Sequence, residues 1–446
     1  MTRLVETLKH TKYYLYALVK WIILAVLVGF FCGVVGVLFH LGVEWATNFR
    51  EAHVFLLWCL PLAGLFIVGF YKLTKTEGQG TDDIIDAVRM GKSLSILLLP
   101  AIFVGTILTH LCGGSAGREG AALQMGGDIG YHVGLLFRMD DRDMRTATLC
   151  GMAAFFSALF GTPLTATVFA MVVISVGVVY HAAFIPCFTA SLVAYGISLW
   201  VGISPTQYTV TAPDLEFTTL LRVAVLGALC AFVSVLFCNA LRATREFSCK
   251  HMQNSWLRVA CGGALIIVLS YLVQTSDYNG AGMNVIQRAV EEGTVSPAAF
   301  LLKIIFTAIT LGTGYKGGEV VPAFFVGATF GCAAGPLLGL PAGFSAAVGL
   351  VAVFCASVNC PVASIFLSVE LFGSAGVLYF ALACGISYIL SGYNGLYSSQ
   401  TILYSKLKAQ YINARTNSYH AGDVLPDHSI CGQRNKPEKT AKTPPK

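Results

Sequence analysis

Long apolar runs, cut by short polar or glycine-rich interruptions, set the pattern of this chain. Runs at or near membrane-crossing length cover 21–39, 54–70, 94–111, 182–201, 223–241, 259–273 and 377–390. A simple crossing needs about 20 apolar residues. Several further runs are shorter, or are broken by Gly and Pro. The pattern predicts an all-α polytopic membrane protein in which full crossings mix with broken and half-crossing helices. The 46 glycines fit helices that are tilted and closely packed.

Two interruptions stand out. The first reads Gly113-Gly114-Ser115-Ala116-Gly117-Arg118-Glu119-Gly120, and the second Gly312-Thr313-Gly314-Tyr315-Lys316-Gly317-Gly318-Glu319-Val320-Val321-Pro322. Each carries a cation and a carboxylate inside an otherwise apolar segment. An ionisable side chain at the centre of a membrane costs roughly 2.5–3.5 kcal/mol on insertion scales, so it is rare there without a task. Irregular backbone is tolerated at that depth only where protein covers it or it lines a cavity. Paired, glycine-broken helices in the two halves of a chain point to an ion site.

The halves repeat each other. Placing Pro361 on Pro163 (361 − 163 = 198) brings Gly312 onto Gly114, Lys316 onto Arg118 and Gly349 onto Gly151. The offset does not distinguish inverted from parallel repeats. Pro163 and Pro361 are expected in the first turn of a helix, where proline is best tolerated. The expected organisation is an interfacial helix over 1–20, a first membrane repeat over 21–203 and a polar linker over 204–219. A second repeat follows over 220–411, then a polar, disordered tail over 412–446.

Composition narrows the class. The chain is 56% hydrophobic and 12% charged, and soluble domains carry about twice that charged fraction. The net charge of +6 is modest, and a nucleic-acid partner is not expected. Basic residues gather near both ends (Arg3, Lys9, Lys12, Lys20; Lys406, Lys408, Lys436, Lys439), so both termini are expected in the cytoplasm. No small-residue cleavage site follows the first apolar run, so that run is expected to be retained. The 14 cysteines are scattered without a C-x-x-C pair, and are read as small hydrophobes.

The breaks carry the chemistry. A helix N-terminus presents unpaired N–H groups and about half a positive charge. Several such ends meeting in a protein interior make an anion site. A carboxylate beside that site competes with the anion for the same donors, and protonating it releases them. Proton and anion occupancy are then linked. Glu119 fits that task as gate and proton carrier. The alternative is a static buried Arg118–Glu119 pair with the glycines present for packing. A nucleotide loop is excluded because the Gly-Lys-Ser/Thr ending is missing. His110 is read as a helix-packing residue, Glu370 as a structural carboxylate, and Asp82, Asp83 and Asp86 as facing water.

With these motifs the chain resembles the CLC family of anion channels and anion/proton antiporters, over about residues 21–411. Gly117-Arg118-Glu119-Gly120 matches the family's G-(K/R)-E-G-P motif, with Ala121 in place of the proline. Gly318-Glu319-Val320-Val321-Pro322 stands at its G-x-F-x-P motif. Gly78-Gln79-Gly80-Thr81-Asp82 stands at its G-S-G-I-P motif. Asn394-Gly395-Leu396-Tyr397-Ser398 resembles the late segment whose Tyr faces the central anion. The resemblance implies the CLC fold with inverted repeats, a homodimer with one pathway per subunit, and Glu119 as the gating glutamate. It implies anion contacts from Gln79, Gly80, Gly117, Arg118, Gly120, Gly318, Val320, Val321 and Tyr397.

The departures are most similar to the family's fluoride/proton antiporter branch, which lacks the anion-coordinating Ser and carries a carboxylate matching Glu319. The relay glutamate of the chloride/proton exchangers is absent: the aligned stretch is Phe169-Ala170-Met171-Val172-Val173. The expected function is therefore export of fluoride against protons across a bacterial inner membrane, with Glu119 and Glu319 handling protons and with no cofactor or metal. A chloride- or nitrate-conducting pathway is the alternative within transport. An integral-membrane enzyme using His110, Arg118 and Glu119 is the alternative outside it, although no nucleophile–base pair or metal motif is apparent.

Overall fold

The computed structural model describes residues 2–408 and 410–417, with side chains from Lys12 onward except Tyr13. Sixteen α-helices lie within them, eight in each half. The first half holds α1 (Thr2–Ala52), α2 (Leu60–Leu73), α3 (Thr81–Met90), α4 (Leu98–Leu111), α5 (Glu119–Leu136), α6 (Asp141–Phe160), α7 (Pro163–Val173) and α8 (Phe184–Val201). The second holds α9 (Phe217–His251), α10 (Ser255–Val273), α11 (Met283–Gln287), α12 (Ala299–Thr313), α13 (Val320–Ala334), α14 (Ala342–Val358), α15 (Pro361–Phe372) and α16 (Val377–Leu390). Five helical segments are long and apolar enough to cross a membrane, and they include α1, α9 and α10.

Both proline expectations hold. Pro163 and Pro361 each open a helix, where the missing N–H costs no hydrogen bond. The ungapped offset of 198 holds only for part of the chain. At the breaks the equivalent residues are 201 apart: Gly318 answers Gly117 (318 − 117), and the start of α13 answers the start of α5 (320 − 119). The difference is absorbed in the hairpin of each half, because α6 has 20 residues and α14 has 17. Glycine matches are too cheap in this sequence to fix that register.

The repeats are inverted. Helices α2 and α10 are equivalents, and they pack antiparallel. Lys72 near the end of α2 lies 5.2 Å from the ring of Trp256 at the start of α10. Trp58 Nε1, just before α2, donates to the Tyr271 hydroxyl near the end of α10 at 2.9 Å. Glu77 beyond α2 accepts from Ser255 Oγ at 3.0 Å.

Each half is built around a tight hairpin, α5–α6 or α13–α14. A Cβ on Gly126 or Gly151 would overlap the other's carbonyl, and the same is true of Gly327 and Gly349. Phe160 of the first hairpin and Phe169 of α7 meet Phe324 and Phe354 of the second, in edge-on and tilted contacts with ring centroids 5.0–5.8 Å apart. Phe155, Phe156 and Phe169 are completely buried in this core.

Two boundaries differ from the sequence reading. Helix α1 runs unbroken through residue 20, because no Gly or Pro precedes Gly29. Residues 411–415 are not part of a disordered tail: they form strand β3 (Tyr411–Arg415) of a small sheet with β1 (Ser175–Val176) and β2 (Thr401–Tyr404). β2 pairs parallel with β1 and antiparallel with β3. The rest of the tail reading, 418–446, lies outside the described residues.

Candidate functional site

The two glycine-rich breaks meet. Gly117 N–H donates to the Gly318 carbonyl at 2.8 Å, and Gly318 N–H donates back to Gly117 at 2.7 Å. This reciprocal pair is an antiparallel bridge between the halves. It needs glycine on both sides: a Cβ on Gly318 would overlap the Gly120 nitrogen, and one on Gly117 would lie 2.6 Å from Glu119 Oε2. The bridge sets the first turns of α5 and α13 side by side. Val320 and Val321, both fully buried, form the start of α13.

Glu119 opens α5 and is only 1% exposed. Its Oε2 accepts from the Arg118 backbone N–H at 2.9 Å, and its Oε1 lies 3.5 Å from Arg118 Nε. The Arg118–Glu119 pair that the alternative, static reading requires is therefore present. The Arg118 guanidinium also reaches His40 Nδ1 on α1, at 3.1 Å. Glu319 stands at the equivalent end of α13. Its Oε2 lies 3.0 Å from where a Gly120 Cβ would be, so Gly120 leaves the room that this carboxylate occupies.

A cavity of about 410 Å³ reaches this point from the face where α2 ends and α10 begins. Gln79, Gly80, Glu319 and Tyr397 all line it. Three buried polar atoms among these residues have no hydrogen-bond partner among the described residues: Gln79 Oε1, Glu319 Oε2 and the Tyr397 hydroxyl. Native interiors satisfy nearly all buried polar atoms, so these orphans, with the Tyr71 hydroxyl as a fourth in the same wall, mark the cavity as a polar site. Glu119, Gly117, Gly120, Gly318, Val320 and Val321 are not in the cavity wall. They form packed protein beyond its Glu319 end, and Arg118 turns away toward α1.

Local structure holds the lining residues in place. Gly80 caps α3, and its N–H donates to Asp83 Oδ2 at 2.8 Å. Asp82 Oδ1 accepts from Ser399 N–H at 2.8 Å, which ties the Gln79 segment to the loop bearing Tyr397. Asp82 was expected simply to face water. It lines the cavity but works as a clamp, and no local signal reveals a partner 317 residues away. Leu396 N–H donates to the Ser357 carbonyl at 2.9 Å, seating the same loop on α14. Sequence reasoning also missed Gln124, whose Nε2 donates to Thr81 Oγ1 at 2.9 Å in the same wall.

The secondary candidates divide cleanly. Glu370 accepts from Leu164 N–H at 3.0 Å, from Thr165 N–H at 2.9 Å and from the Thr165 hydroxyl. It is a structural carboxylate that caps α7 from the other repeat. His110 is fully buried and packs as expected, with Nδ1 on the Thr106 carbonyl at 2.9 Å. Tyr393 contacts Ser405 and does not line the cavity.

Comparison with known proteins places this geometry. The family model described as voltage gated chloride channel matches residues 62–392. A chloride/fluoride channel protein of Pseudomonas syringae pv. tomato is 36% identical over 397 residues, covering 87% of each chain. An H(+)/Cl(-) exchange transporter, ClcA, of Vibrio cholerae is 28% identical over 78% of this chain and 81% of its own. Among solved structures, a CLC-type fluoride/proton antiporter superposes with a TM-score of 0.84 at 30% identity, covering 86% of this chain and 98% of the other. With its inverted repeats and two joined breaks, the chain belongs to the voltage-gated chloride channel (CLC) family of membrane transport proteins.

Proposed function

We propose that this protein exports fluoride in exchange for protons, with Glu119 as gate and proton carrier and Glu319 as a second carboxylate in the same pathway. The observation that carries the reading is the trio of unpartnered polar atoms on Gln79, Glu319 and Tyr397 in the wall of one cavity. Fluoride is small, strongly hydrated and a good acceptor, so stripping its water requires strong donors. Tyr397 offers a hydroxyl. A half-turn of the Gln79 amide exchanges its oxygen for an N–H₂ donor. A protonated Glu319 offers a third donor and would carry proton and fluoride together. The first-turn N–H groups of α5 and α13, around Gly117, Gly120, Gly318, Val320 and Val321, add the positive ends of two helices.

Arg118 beside Glu119 marks the far side of the gate. The proposed setting is a bacterial inner membrane with the cavity mouth and both chain ends in the cytoplasm, the subunit working as one of a homodimer. The relatives that pair fluoride with this family support the choice of ion: the Pseudomonas protein by its description, and the solved antiporter by its TM-score of 0.84.

The test is flux from liposomes loaded with fluoride or with chloride, recorded together with proton uptake. Fast fluoride efflux with proportional proton uptake and little chloride efflux is expected. Chloride efflux at a similar rate without proton movement would replace this reading with a conducting pathway.

A further inference from the structure

On the side of the gate away from the cavity, a series of ionisable groups runs outward along α1. Arg118 Nη1 lies 3.1 Å from His40 Nδ1. One turn further along α1, Glu44 Oε2 lies 3.6 Å from His40 Nε2. Side-chain exposure falls steadily inward, from 56% at Glu44 through 15% at His40 and 13% at Arg118 to 1% at Glu119. None of these four residues lines the cavity.

Their place on α1 gives the side they face. No Asp, Glu, Lys or Arg occurs between Lys20 and Glu44. Those 24 residues (44 − 20) rise about 36 Å, a little over the roughly 30 Å of a hydrocarbon core. Glu44 therefore stands at the interface opposite Lys20, beside the exposed ring of Trp45. A Cβ on Gly113 would lie 3.1 Å from Leu57, just before α2, and 3.5 Å from Arg50, near the end of α1. That end of α1 is on the side where α2 begins, whereas the cavity opens where α2 ends.

Chemistry fixes the hydrogen-bonding roles. Arginine only donates, so His40 Nδ1 accepts and the ring is neutral, with its proton on Nε2 toward Glu44. Arg118 meanwhile approaches the Glu119 carboxylate through Nε at 3.5 Å, beyond ordinary hydrogen-bond length. A proton on His40 Nδ1 turns that acceptor into a donor and sets two cations in contact. The imidazolium then has Glu44 as its partner, and the carboxylate already beside the displaced guanidinium is Glu119. Other neighbours do not compete. α4 and α6 pack Phe103, Ile107, Phe155 and Ala158 against this stretch of α1, and α8 meets α1 earlier, around Gly29 and Gly33. On α5, Asp128 and His132 come more than two turns after Glu119 and lie against each other. His110 on α4 and Tyr208 of the linker lie within electrostatic reach of Arg118.

We infer that His40, backed by Glu44, is a positioning residue for the gate: its neutral ring holds the Arg118 guanidinium against α1 and leaves Glu119 free to take a proton, and a proton on His40 hands Arg118 to Glu119. The inference rests on the reading of Glu119 as gate. Acid on the outer side then acts as a brake, because a guanidinium drawn onto Glu119 holds that carboxylate ionised and in place.

Initial fluoride efflux from liposomes holding the full chain tests this, with the same pH on both sides so that orientation does not matter, and with protein-free flux subtracted. The wild-type rate should fall at the acid end of the profile by roughly tenfold, the worth of one charge-assisted contact. His40→Gln keeps an acceptor for Arg118 but takes no proton. It should match the wild-type rate at neutral pH and lose the acid fall. Glu44→Gln removes the partner of the imidazolium and should move the fall to lower pH. His40→Leu leaves Arg118 no acceptor on α1 and should be slow across the whole range.

An acid fall that survives in His40→Gln overturns the inference, and so does a wild-type profile without one. A lowered melting temperature in His40→Leu with the wild-type rate and profile would make the residue structural only. Glu119→Gln separates the two readings. Proton uptake that persists in that variant removes the gate itself, whereas lost uptake there, with an unchanged profile in His40→Gln, removes only the role of His40.

Discussion

At the scale of single residues, the site rests on side chains whose polar atoms have been left without protein partners. Glu119 is the opposite case, since it is buried and held by the Arg118 N–H. In the proposed mechanism one proton releases Glu119 from the Arg118 N–H. Glu119→Gln removes the titratable group but keeps its shape, and should abolish proton uptake during anion flux. Proton transport that persisted undiminished would refute the role. Gln79→Ala should raise the half-saturating fluoride concentration by about tenfold or more, the cost of one hydrogen bond to an anion. An unchanged flux titration would mean that backbone near Gly80 makes the contact instead. Glu119 and Glu319 stand out in the sequence as carboxylates in glycine-rich breaks of apolar segments, and Tyr397 through the family resemblance of its segment. The Asp82–Ser399 clamp was not, because it joins two loops with no sequence relation.

At the scale of elements, the fold is a set of helix ends aimed by proline, glycine and capping. The prolines were readable because proline fixes where a helix starts. The three-residue change of register at the breaks was hidden among glycines. The Glu370 cap is the clearest inter-repeat element contact. One carboxylate on α15 satisfies two backbone N–H groups and a hydroxyl at the start of α7. Its repeat equivalent, by the 198 offset, is Val172, so the device exists in one half only. Glu370→Ala leaves those donors short of a partner and should cost about 1–3 kcal/mol. The check is a lowered midpoint of thermal unfolding in detergent with the proton-to-anion ratio intact. An altered ratio would give Glu370 a part in proton transfer.

At the scale of the whole molecule, two inverted halves enclose a cavity that reaches their junction. An inside-acid gradient across liposomes should drive fluoride inward against its own gradient, as protons leave and fluoride enters. Dissipation of the fluoride gradient alone would point to passive conduction. The duplication was legible from the prolines, but its hand followed only from the family resemblance and not from the repeat offset. In the structure the hand is seen in the antiparallel seating of α2 on α10, a contact between segments about 200 residues apart. The reciprocal Gly117–Gly318 pairing then limits how such a machine can move. Halves laced together by backbone at their centre cannot open like a clamshell without breaking the lacing on every turnover. Under the proposed function, the travelling parts are then the carboxylate side chains, swinging within a frame that stays shut. A covalent staple across the two hairpins should therefore leave exchange running, whereas it would stall a transporter whose halves rock.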